Sequence, residues 1–177
     1  MARLTVAGHS VHAIINDWPI GLFSTSLVFD VLHVATKNPV FARVGYYMLA
    51  SGYATGALAA ASGIADYKAL EKKGEVKRLA NRHAQLNSAI MVLMGISLFA
   101  RRKNKDTVGA GSMALSLASN ALTILSAWYG DEMVYGHGVR VRDIGIKPDD
   151  HEIKMPGDKK IADALYKGIS PSGSYAR

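Results

Sequence analysis

The hydrophobic residues of this chain fall in long blocks with no charge inside them. Residues 44–65, 84–100 and 108–130 contain no Asp, Glu, Lys or Arg over 22, 17 and 23 positions. A fourth block, 18–29, runs for 12 positions before Asp30 interrupts it, then resumes to Thr36. A soluble helix sets an apolar stripe against a charged wet face, so blocks of this length point to helices immersed in hydrocarbon. The pattern predicts four transmembrane helices, at about 13–36, 39–66, 82–101 and 107–130. Each is near the roughly 20 residues that cross a bilayer with some tilt. The expected fold is all-α: a four-helix transmembrane bundle over 1–137, then a polar extended tail over 138–177.

Local signals refine this. Pro19 falls in the first turns of the first helix, where a missing backbone donor is tolerated. Pro39 after Asn38 suits the first position of the second. Gly52 and Gly56 form a GxxxG followed by Ala57, Ala59, Ala60 and Ala61. Small residues let backbones approach closely in lipid, with the partner helix lying in this chain or in another subunit. The connector YKALEKKGEVKRLAN (67–81) is expected to extend helices two and three above the headgroups. The tail carries Pro148, Pro156 and Pro171 and a partly alternating VRVRDIGI. It shows no core of its own, so it is expected to dock on a partner.

Charge and composition narrow the function. The net charge of +7 comes from 21 basic and 14 acidic residues, placed between the apolar blocks and in the tail. That placement favours lipid headgroups or a partner subunit. The basic residues are not interleaved with aromatics, which speaks against nucleic acid. The absence of cysteine excludes disulfides, thiolate metal sites and cysteine nucleophiles. No nucleotide loop, Gly-x-Ser-x-Gly elbow or HExxH is present. No signal peptide is evident, so the first helix is expected to direct insertion. Four spans put both termini on one side, side A. Ten basic residues flank the helices there, against six on side B. The positive-inside rule then leans towards cytoplasmic termini in a bacterial inner membrane.

The candidate chemistry collects at side A, where His9, His12, Asp17, Asp66, His83, Asn87, Glu132 and His137 lie at or near helix ends. His9 and His12 would share a face if that segment is helical. One reading is a structural hydrogen-bonded network that caps the helices. Another is a haem b held by two imidazoles from different helices, with His12 and His83 the first choice and His137 the third. The spacings match no recognised metal-ligand motif. Asp30 and His33, i and i+3, lie towards side B. Asp30 is 13 residues beyond Asp17, about 20 Å along the helix. A carboxylate at that depth needs a partner, and His33, Arg43 and Arg101 are the candidates. A buried ion pair is preferred there over a proton relay.

Four stretches, GHSVHAIINDWPIGL (8–22) with LVFD (27–30), GIADY (63–67), RHAQLN (82–87) and GDEMVYGHGVRV (130–141), occur in order at helix ends. Together they resemble a bacterial four-helix membrane family known as a domain of unknown function, number twenty-two thirty-one. The resemblance implies an integral membrane protein, and redox company, since some members are fused to Rieske-type iron–sulfur domains. The family pattern carries over to His9, His12, Pro19, Gly21, Asp30, Asp66, His83, Asn87, Glu132, His137 and Gly138. It departs at Asp17, where relatives often have a histidine, which removes one candidate ligand.

These readings lead to the expectation of a small accessory subunit of a larger membrane complex, of a bioenergetic or redox kind, with no activity of its own. It would pack through its helices and dock its tail. The alternative is a b-type haem redox protein. A proton or solute carrier built on Asp30 ranks below both.

Overall fold

The computed structural model describes residues 5–6, 9–68, 70 and 74–139. The expected tail lies outside them, apart from its first two residues. A short antiparallel pair opens the described chain, β1 (Thr5–Val6) with β2 (His9–Ser10), in the register Thr5↔Ser10 and Val6↔His9. Four helices follow: α1 (Val11–Thr36), α2 (Pro39–Lys68), α3 (Glu75–Arg101) and α4 (Ala110–Asp131). A π-helical turn, Glu132–Gly136, continues α4. All four are long and apolar enough to cross a membrane.

The connector is helical at both ends: α2 runs to Lys68 and α3 begins at Glu75, two turns before Arg82, because a solvated charged segment can be helical without any hydropathy signal. Helix α4 begins at Ala110. His9 lies in β2 and α1 starts at Val11, so His9 and His12 do not share a helical face. The sharp α1–α2 turn is built by local chemistry. Lys37 adopts φ 59° and its N–H reaches the His33 carbonyl at 2.7 Å, closing α1. Asn38 Oδ1 then accepts the Val40 N–H at 3.0 Å, capping α2 with Pro39 in its first turn.

The helices run up and down in a ring. Each packs on its sequence neighbour, and α1 closes on α4. Phe23, Leu49, Ile90 and Met94 form the central core, drawn from α1, α2 and α3. A second cluster around Leu79 and Tyr129 joins α3 to α4 towards side A. The GxxxG face of α2 finds its partners within the chain. A Cβ at Gly52 would stand 2.8 Å from the Phe23 ring, and one at Gly56 2.8 Å from Met91 Sδ. Close approach, not flexibility, is what these glycines supply.

The perimeter is apolar. Ile124 is 75% exposed, Phe99 62%, Val92 61% and Leu58 61%. On four spans these are lipid-facing side chains. The interior is more polar than the perimeter. Helix α4 turns Ser112, Ser116, Ser119, Asn120, Thr123 and Ser126 inward, all buried. Asn120 and Thr123 return their hydrogen bonds to Ser116 O and Ser119 O of their own helix, at 2.9 Å each. Small side chains allow tight packing, and Asn120 and Thr123 satisfy themselves within the helix, which suits a bundle in lipid.

Candidate functional site

Two polar clusters lie at opposite ends of the bundle. The side B cluster centres on Asp30, fully buried on α1, and Arg101, 3% exposed at the end of α3. Arg101 Nη1 stands 2.9 Å from Asp30 Oδ1 and donates to Oδ2 at 3.0 Å. Arg101 Nη2 donates to the Ala42 carbonyl of α2 at 2.8 Å, and Ser116 Oγ of α4 donates to Asp30 Oδ2 at 3.1 Å. One ion pair therefore ties all four helices together. Of the three candidate partners for Asp30, the structure selects Arg101.

Glycine makes room for it. A Cβ at Gly45 would stand 2.5 Å from Asp30 Oδ1. The Gly45 carbonyl in turn accepts Ser26 Oγ at 2.8 Å. Some polar atoms nearby have no hydrogen-bond partner among the described residues: Arg101 Nε, Ser97 Oγ and Ser119 Oγ, all buried. His33, also buried, places Nδ1 3.0 Å from the Asn38 carbonyl and so pins the α1–α2 turn. Arg43 pairs instead with Asp106 at 2.9 Å, on the surface.

The side A cluster is built on two histidines. His12 Nδ1 lies 2.9 Å from the Ala59 carbonyl of α2, and His83 Nδ1 lies 2.8 Å from the Ser126 carbonyl of α4. A carbonyl only accepts, so Nδ1 carries the proton in both rings. His83 Nδ1 also stands 3.1 Å from Ser126 Oγ, and its Nε2 accepts from Asn87 Nδ2 at 2.9 Å. The two rings meet edge to face, centroids 6.4 Å apart. Each sits against a glycine: a Cβ at Gly63 would be 3.0 Å from His12 Cε1, and one at Gly130 3.3 Å from His83 Cε1. Asp66, near the end of α2, accepts Ser10 Oγ at 2.6 Å and so ties the start of α1 to α2.

Other residues expected in this cluster stand apart from the ring pair. His137 Nε2 lies 3.9 Å from Glu132 Oε1 across the π-helical turn, a local contact. Asp17 is exposed and makes no hydrogen bond or ion pair among the described residues. Among the described residues, no three His, Asp or Glu side chains gather to hold a metal ion. The inward stripe of α4 was not anticipated. Its signal is the 4, 3, 1, 3, 3 spacing from Ser112 to Ser126, a helical period hidden inside a block counted as uncharged.

Fold and clusters define an integral membrane four-helix bundle whose buried polar groups join helix to helix. The chain belongs to the family of predicted membrane proteins DUF2231, whose profile matches residues 8–143. Comparison with curated proteins and with solved structures finds no match.

Proposed function

We propose that this protein is an accessory subunit of a larger membrane assembly, of a bioenergetic or redox kind, and contributes a rigid packing module. One observation carries this reading: the buried ion pair and the two facing histidines bond from helix to helix. Asp30, Arg101, His12 and His83 each anchor on a neighbouring helix, as does Ser116. Such locks fix a bundle's shape and leave its apolar perimeter to meet lipid and neighbouring subunits. The tail, 138–177, docks on one of those neighbours, and the termini face the cytoplasm of a bacterial inner membrane. Solubilisation in mild detergent followed by purification through a tag tests this. Stoichiometric partner chains, lost on removal of 147–177, are expected. A chain that purifies alone from its native membrane refutes it.

A specific observation favours a second reading, haem b held by His12 and His83. Both imidazoles place the Nδ1 proton on a backbone carbonyl, the arrangement that leaves Nε2 for a metal. The lack of a third ligand among the described residues disfavours a bare zinc ion, which needs four, but not a haem, which takes two from the protein. Against it, Asn87 occupies His83 Nε2 and would have to turn away. A Soret band that sharpens on dithionite reduction and is lost in His83→Ala supports haem. A featureless spectrum of protein purified from haem-replete cells excludes it.

A further inference from the structure

The described residues of side B form a cationic rim. At side B, Lys37, Arg43, Arg102 and Lys103 are exposed and Lys105 is half-buried, with Asp106 the one exposed acid among the described residues there. Asp30 and Arg101 neutralise each other beneath them.

Three of the side B cations are held in place by neighbouring side chains. Arg102 lies over the Phe99 ring with its guanidinium carbon 3.5 Å from the centroid. Lys105 Nζ stands 5.2 Å from the Tyr46 centroid and 5.5 Å from that of Tyr47. Arg43 is tied to Asp106, which links the start of α2 to the α3–α4 loop. Cation–π contacts hold Arg102 and Lys105 against rings, and tyrosines such as Tyr46 and Tyr47 are enriched at the headgroup level of a membrane, where lipid phosphates lie.

We propose that this rim is a docking surface for anionic phospholipid, with Arg102, Lys103 and Lys105 as its centre. Charge complementarity selects the ligand. A zwitterionic headgroup brings its own cation and gains little from the rim, whereas a lipid with net negative charge pairs with several cations at once. The site faces the leaflet opposite the termini, and it is independent of the histidine pair and of any partner subunit.

The test uses the full chain in nanodiscs of phosphatidylcholine alone or of phosphatidylcholine and phosphatidylglycerol in equal parts. Native mass spectrometry reads which lipid stays bound, and thermal melting reads the stabilisation at low and high salt. Wild type should retain phosphatidylglycerol selectively and melt higher in its presence, with the gain shrinking as salt rises. Arg102→Gln/Lys103→Gln/Lys105→Gln should weaken that preference on the order of a hundredfold. It should still melt like wild type in pure phosphatidylcholine. If the triple variant does not fold, Lys37→Gln/Lys103→Gln, confined to exposed side chains, should show a smaller loss. Equal retention of the two lipids by wild type overturns the proposal. So does an undiminished preference in whichever variant folds, which would place the anionic lipid elsewhere.

Discussion

Replacing Asp30 with Asn tests the side B ion pair at its most exposed point of logic. Arg101 would keep its charge in a buried site with one strong acceptor, the Ala42 carbonyl at 2.8 Å. The contacts at 2.9 and 3.0 Å to a carboxylate would become contacts to a neutral amide. Breaking a buried pair by removing one partner destabilises by about 3–5 kcal/mol. At about 2–4 °C per kcal/mol for a chain of this size, the melting temperature should fall by about 6–20 °C. The companion variant, Asp30→Leu/Arg101→Met, removes both charges and roughly preserves volume. Buried pairs replaced in this way are often neutral or stabilised by about 1–4 kcal/mol. Ser116 loses its acceptor in that variant but can turn to its own helix. The assay is thermal unfolding in detergent, followed by helical circular dichroism. The reasoning is refuted if the single variant melts with wild type, or if the double variant melts as low as the single one.

Two further outcomes follow from the same geometry. Gly63→Val should drive the His12 ring off the Ala59 carbonyl, because even a single Cβ meets the imidazole at 3.0 Å; a lowered melting temperature and a shifted His12 ring signal in NMR would register it, while an unchanged ring signal would refute it. Ser97→Ala removes a fully buried hydroxyl that has no partner among the described residues, so it should stabilise the bundle by about 1–3 kcal/mol, read as a higher melting temperature.

The membrane architecture was legible because immersion in lipid forbids charge over whole helical lengths, and that constraint is written directly into residue order. The depth of Asp30 was legible for the same reason. Its partner was not. His33, Arg43 and Arg101 all lie near side B in sequence terms, and only the rotation of each helix about its axis turns Arg101 inward and Arg43 outward. The partners of Gly52 and Gly56 were hidden likewise, since a small-residue face says that something comes close without saying what. At side A the sequence put His12 and His83 on one side of the bundle, but their ring contact depends on helix rotation, which residue order does not give. The separate place of His137 was not legible either, because the π-helical turn after α4 pairs it locally with Glu132 and leaves no trace in periodicity.

The ion pair also sets a timetable for biogenesis. Asp30 and Arg101 are 71 residues apart, so a ribosome adding about 5–20 residues per second delivers the arginine about 4–14 s after the aspartate. During that interval the first hairpin holds an unneutralised carboxylate that hydrocarbon accepts poorly. The nascent first helix must therefore linger beside the insertion machinery, or take up a proton, until the third helix emerges to release it.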